Sequence, residues 1–286
     1  MATRTDPRDP PPADQPETRI LVRGVDEDLI DRILALPRGP KRIPRLAWLD
    51  GDMELLSFPT RESIAEMPPA PPPSEGAEDR IRLRGVDHAL FGRLTALGGN
   101  PTNPRVAWLD GELELMRPSP RHLALARRLD LLVGIALKAT GVPSFGTGRV
   151  TLARPDAARG KIAEVAFYVA HVDRGPSRRV PAVDLGVHPP PDLAIEVALG
   201  RPLVDVERLY AGLGVPELWR CDGQAVCILR LGRDGRYDEQ GRSDVVPGLW
   251  AADVMPVLAT SDAPDDDRWG QATRRWARED LANRPA

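Results

Sequence analysis

Apolar and polar positions recur with two different periods along this chain, and one stretch of the pattern occurs twice. Residues 19–56 (RILVRGVDEDLIDRILALPRGPKRIPRLAWLDGDMELL) match residues 80–116 (RIRLRGVDHALFGRLTALGGNPTNPRVAWLDGELELM). In each copy an alternating run predicts a strand, a short helical run follows, and a second alternating pair brackets Asp-Gly. Asp26 and Asp87 stand where N-caps belong. Asp50-Gly51 and Asp110-Gly111 are two-residue hairpin turns. Trp48 and Trp108 then fall on the core face. The first copy is too short to hold a core alone and must dock on the main body or on another subunit.

The period changes after residue 117. Residues 119–140 carry an apolar stripe of Leu125, Leu129, Leu132 and Ala136 at helical spacing, closed by Gly141 and Pro143. Residues 144–154 and 162–170 read as strands around the turn 155–160. A polar loop, 171–190, leads to a strand in PPPDLAIEV, residues 189–197. Residues 203–213 read as a helix, and 216–231 with 235–241 as antiparallel strands. Trp269 and Trp276 are seven apart, on one face of a C-terminal docking helix. The run Asp265-Asp266-Asp267 reads as the solvated start of that helix. Strands and helices are therefore mixed, an α/β or α+β chain without regular β-α-β alternation.

The boundaries follow from this pattern. Residues 1–18 are a Pro-rich disordered stretch, 19–66 the first copy, and 67–79 (MPPAPPPSEGAED) a Pro-rich linker. Residues 80–260 form the main domain, with the second copy inside it, and 261–286 a helical tail.

Composition narrows the function. The chain has 286 residues, a net charge of −3 and two cysteines. Cys221 and Cys227 flank a turn and read as packed thiols in a reducing compartment. The N-terminus has no signal-peptide core, and no stretch reaches the length of a membrane span. A cytoplasmic location with no membrane partner is expected. Charge is uneven, however: residues 121–180 hold eleven Arg or Lys against four Asp or Glu. Arg127, Arg128, Arg149, Arg154, Arg178 and Arg179, together with Arg159 and Arg174, are candidates for a groove that neutralises the phosphates of DNA. His122, at the start of the long helix, reads as a cap or surface residue.

Two acids interrupt apolar strands. Glu196 lies inside LAIEV and Glu164 inside KIAEVAFYVA. A carboxylate in such a strand costs free energy unless it is paired, hydrogen-bonded or metal-bound. If the two strands are neighbours, both acids can converge on one cation. Asp192 lies four residues before Glu196, ~13 Å along a strand, so it is an outlying ligand or a loop cap. Oxygen ligands favour Mg²⁺ or Mn²⁺ over zinc. No Walker loop, dinucleotide fingerprint or local Ser-His-Asp signature is present.

Four segments, AWLDGELELMRPSPRH (107–122), EVAFYVA (164–170), PDLAIEV (191–197) and LYAGLGVPELWRCDG (209–223), together resemble the Uma-type restriction endonucleases, a branch of the PD-(D/E)XK nuclease superfamily. The resemblance spans about residues 105–260. It implies a restriction-endonuclease-like central mixed sheet flanked by helices, and Mg²⁺-dependent hydrolysis of DNA phosphodiesters. It puts the metal on Glu164 and Glu196. This chain departs from the family pattern twice. Ala163-Glu164 stands where the family has Pro-Asp, and Val206 stands four residues before Tyr210, where the family has Lys or Arg. Arg208 and Lys161 are the substitutes for that cation. Arg208 is displaced around the helix. Lys161 is three residues from Glu164, which on a continuous strand puts the two on opposite faces. Two other readings follow: a nuclease fold kept as a DNA-binding or protein-interaction scaffold, and an interaction module whose first copy pairs subunits in a homodimer.

Overall fold

A single interruption in an apolar strand divides the sheet structure of this protein in two. The computed structural model describes residues 18–23, 30–31, 42–49, 52–59, 78–96, 104–176, 182–259 and 265–285. In the first copy, strands β1 (Thr18–Arg23), β2 (Arg42–Leu49) and β3 (Asp52–Pro59) form an antiparallel sheet in the order β1-β3-β2. In the second copy, β4 (Asp79–Arg84), helix α1 (His88–Ala96), β5 (Arg105–Leu109) and β6 (Glu112–Arg117) repeat that arrangement. The register is the same: Arg19 faces Leu56 as Arg80 faces Met116, and Ala47 faces Glu54 as Ala107 faces Glu114.

Then come α2 (Pro120–Ala139), β7 (Phe145–Gly146), β8 (Val150–Arg154), β9 (Arg159–Ala163), β10 (Val165–Tyr168), β11 (Ala182–Asp184) and β12 (Leu193–Val197). The chain ends with α3 (Val206–Leu213), β13 (Glu217–Cys221), β14 (Val226–Leu231), β15 (Tyr237–Gln240), α4 (Ala251–Ala259) and α5 (Asp266–Glu279).

Two mixed six-stranded sheets result, β11-β8-β9-β5-β6-β4 and β15-β14-β13-β12-β10-β7. The α/β class expected from the pattern and the mixed pairing implied by the resemblance are observed, but in place of one central sheet the strands of the main domain divide over two sheets. Glu164 is the point of division. The chain bends there, so that β9 belongs to one sheet and β10 to the other.

Strand alternation sorts the residues of the second sheet. Val165, Phe167, Leu193, Ile195, Val197 and Trp219 pack in one cluster with α2, α4 and α5. Ala166, Ala194 and Leu218 face the other way, toward α3 and the first sheet. Glu196 shares the parity of Ala194 and therefore points between the sheets. In the first sheet, Ala107, Leu109, Leu152 and Ala163 form that inner face. Val106, Trp108, Leu113, Leu115 and Ile162 face outward, under α1 and under Ile30 and Met53 of the first copy.

The caps agree with the reading of the pattern. Ser119 accepts from His122 N at 3.2 Å, and Asp87 Oδ1 accepts from Leu90 N at 2.7 Å. Asp110 and Gly111 both have positive φ, at 50° and 83°, the geometry of the expected hairpin turn. Asp265 caps α5, and Trp269 is buried on the core side of that helix. Trp108 is core, donating Nε1–H to the Val86 carbonyl. Both cysteines are free thiols. The last residue of the expected linker already belongs to β4, where Asp79 pairs with Arg117. Residues 1–17, Asp26, Asp50-Gly51 and the Trp48 side chain lie outside the described residues. No helix among the described residues is long and apolar enough to cross a membrane.

Candidate active site

Between the two sheets, where apolar packing gives way, lies a cluster of buried charges. β9 and β5 deliver Lys161 and Arg105, β6 delivers Glu114, and β4 delivers Arg80. All four are at most 8% exposed. β12 delivers Glu196, the bend after β9 delivers Glu164, and the first turn of α2 delivers His122. Glu78, one residue before β4, has a fully buried side chain.

Lys161 Nζ donates to Glu196 Oε1 at 2.7 Å, and Tyr210 Oη donates to Glu196 Oε2 at 3.2 Å. Arg105 Nε donates to Glu164 Oε1 at 2.8 Å, and His122 Nε2 lies 2.8 Å from the same oxygen. His122 Nδ1 meets Glu78 Oε1, and Arg80 bridges Glu78 and Glu114. Four carboxylates thus face three fixed cations and one histidine, and each charge has a partner, as burial requires.

The protonation states follow from these contacts. Burial works against a charged His122, but hydrogen bonds to Glu164 and Glu78 outweigh it and hold the pKa up at about 9. Burial likewise works to raise Glu164. The His122 hydrogen bond and the charges of Arg105, His122 and Lys161 overcome it, and the pKa falls to about 2. For Glu196 burial prevails over Lys161 and the pKa is raised. Burial, with Glu196 and Glu164 close by, also drives the Tyr210 phenol well above its usual range.

The sequence-predicted residues divide. Glu164 and Glu196 come together in one electrostatic cluster. Lys161 joins them, against the opposite-face expectation. That expectation assumed a continuous strand, and the bend at Glu164 breaks the alternation. Arg208 does not join: it is 61% exposed and pairs with Asp110 at 2.7 Å. Asp192 is a loop cap. Its Oδ2 accepts from Val169 N and His171 N, and its Oδ1 lies 2.8 Å from His171 Nδ1.

Among the described residues, the predicted arginines placed by their contacts lie on different faces. Arg127 pairs with Asp266 and Arg128 lies over the Trp269 ring, both against α5. Arg154 donates to the Gly212 carbonyl at the end of α3, on the opposite side of the second sheet. Arg149 alone is near the cluster, where burial and the neighbouring Arg105 charge lower its pKa. Arg178 and Arg179 lie outside the described residues.

Sequence reasoning missed His122, Arg105, Arg80, Glu78 and Glu114. For His122 a signal existed, since it continues the stripe of Leu125 and Leu129 by one turn toward the N-terminus. Arg105, Arg80 and Glu114 sit at polar positions of alternating strands, which local pattern assigns to a solvated face, and Glu78 falls in the stretch read as a Pro-rich linker.

The metal reading can be tested against the donors. Among the described residues no group of three or more His, Cys, Asp or Glu could hold a metal ion. Mg²⁺, however, is usually bound by one or two carboxylates with waters and substrate phosphates completing its shell. Glu164 Oε2 is buried without a hydrogen-bond partner. A second buried acid, Glu217, contrasts with it. Its two oxygens accept from Trp219 Nε1, Ser243 Oγ, Asp244 N and Val245 N, which is a structural role. The unsatisfied oxygen on Glu164 is a hard donor of the kind Mg²⁺ takes.

The family model described as "Putative restriction endonuclease" (Uma2) matches residues 90–260, more than half of the chain. The chain belongs to this family. Every member of the cluster except Glu78 and Arg80 falls within the matched segment. Among solved structures, similarity is found to a protein from Anabaena variabilis ATCC 29413 described as "a putative nuclease belonging to DUF820". It is 13% identical, with a TM-score of 0.41, over 67% of this chain and 99% of that one. No curated protein matches.

Proposed function

We propose that this member of the Uma2 family is an endonuclease that hydrolyses DNA phosphodiester bonds with Mg²⁺ or Mn²⁺. One observation carries the reading: Lys161 Nζ lies 2.7 Å from Glu196 Oε1, so a cation stands beside the two acids although residue 206 is Val. Glu164 and Glu196 would hold the ion. The chemistry such an ion supplies when bound is polarisation of the phosphate and acidification of a water. Lys161 places positive charge where the pentacovalent phosphate gains negative charge, and releases Glu196 Oε1 as it turns toward the substrate. Tyr210 holds the other oxygen of Glu196 in place. His122 and Arg105 fix Glu164 Oε1, leaving Oε2 for the ion.

Plasmid nicking in Mg²⁺ or Mn²⁺ tests the assignment. Glu164→Ala, Glu196→Ala and Lys161→Met are each expected to lower the rate by about 100-fold or more. Cleavage that survives all three substitutions places the chemistry elsewhere. Burial of both acids favours a second reading, a nuclease fold retained as a DNA-binding or protein-interaction scaffold. Salt-dependent DNA binding without cleavage in the wild type is the result that selects its nucleic-acid form.

A further inference from the structure

The contacts of Glu78 describe an anion site already filled by the protein. Its carboxylate is held by Arg80 Nη2, by His122 Nδ1 and by the backbone N–H of Gly200 at 3.1 Å. Gly200 lies in the loop between β12 and α3. The same loop aims two more N–H groups, from Leu203 and Val204, at Glu114 Oε2. A run of backbone N–H groups converging on acids is an anion-binding concavity. Through His122, the site is one imidazole away from Glu164.

Glu78 is also a detachable occupant. The β4–β6 ladder begins at the pair Asp79 and Arg117, so Glu78 lies beyond it and its departure breaks no strand pairing. Glu78 lies before the family segment, whereas His122 and Gly200 lie inside it. The family segment therefore carries two of the three donors, and this chain adds Arg80 and the acid from outside it.

We propose that Glu78 stands in for a phosphate: Arg80, His122 Nδ1 and the Gly200 N–H form an oxyanion subsite beside Glu164, which takes a phosphate group once Glu78 withdraws. Identification of that phosphate as one of the DNA backbone rests on the nuclease reading. The subsite itself rests on the donors alone. While Glu78 is seated the cluster is closed, as the burial of Glu164, Glu196 and Lys161 records.

The test uses the full chain and inorganic phosphate in metal-free buffer, with binding followed by calorimetry and by ³¹P line width. Glu78→Ala is expected to bind phosphate at least about tenfold more tightly than the wild type. Adding His122→Gln is expected to remove that gain. Circular dichroism establishes that each variant is folded. Should Glu78→Ala not fold, Glu78→Gln keeps the volume and the Gly200 contact while removing the charge, and is expected to show the same gain in smaller measure.

A folded variant that binds phosphate no more tightly than the wild type overturns the proposal. So does a gain that persists after His122→Gln, because the phosphate would then sit on surface arginines. A short DNA duplex that displaces phosphate from Glu78→Ala supports a backbone phosphate as the natural occupant; phosphate that stays bound in its presence overturns that identification. Failure of the nuclease reading looks different: phosphate binding is gained, yet no variant nicks plasmid.

Discussion

His122 shows what one residue contributes to this site. Its folded pKa of about 9 lies above the ordinary value of 6.5. A group raised in this way stabilises the fold fully below pH ~6.5, and that contribution fades as pH rises toward ~9. The shift corresponds to about 3 kcal/mol. Glu164 has the opposite sign, with a pKa lowered from 4.5 to about 2. Its contribution is complete above pH ~4.5 and is lost as pH falls toward ~2. Urea midpoints are therefore expected to be highest near pH 5–6 and to decline on both sides. His122→Gln is expected to lower stability at pH 6 and to flatten the decline between pH 6.5 and 9. A variant with the same alkaline slope as the wild type would show that His122 is not the group that titrates.

At the scale of elements, close approach decides which glycines can change. Gly160 lies in β9 against Trp108 of β5, and a Cβ built there falls 2.2 Å from the Phe91 ring. Phe91 stacks on Trp108 with centroids 5.2 Å apart and cannot yield. Gly160→Ala is expected to cost about 1–3 kcal/mol by overpacking. Gly134, inside α2, has nothing within 4 Å of its built Cβ. Gly134→Ala is expected to stabilise by about 0.5–1 kcal/mol. Thermal unfolding of the two variants should move in opposite directions.

The same scale explains what was readable beforehand. The helices of residues 120–139, 206–213 and 266–279 were legible because each carries its own stripe and cap. Glu164 and Glu196 were legible because an acid in an apolar run contradicts its surroundings. Lys161 was not, because its position depends on a bend that alternation cannot show. Arg80 and Arg82 read alike in DRIRLR, yet only Arg80 is covered, by a loop more than a hundred residues away in sequence. No local pattern encodes that cover.

For the whole molecule, the segment that defines the family and the sheet that contains it do not begin at the same residue. The match begins at residue 90, inside α1 (88–96). Strand β4 (79–84) lies before it, yet pairs along the length of β6 and buries Ile81 and Leu83. It also supplies Arg80, the cation bound to Glu114. A chain cut at residue 90 would leave β6 as an open edge and Glu114 as a buried acid without that partner, a loss of about 3–5 kcal/mol for the ion pair alone. A chain cut at residue 78 keeps the strand and the charge cluster, and loses Ile30 and Met53 from the outer face of the first sheet. Each such side chain contributes about 1.5–3 kcal/mol. Residues 78–286 are therefore expected to unfold cooperatively at a lower temperature than the full chain. Residues 90–286 are expected to aggregate or to show no cooperative transition. Circular dichroism melts with size-exclusion profiles distinguish the two. If residues 90–286 melt at the same temperature as residues 78–286, neither β4 nor the Arg80–Glu114 pair contributes to stability. Strand β4 would then be an appendage rather than part of one wall of the site.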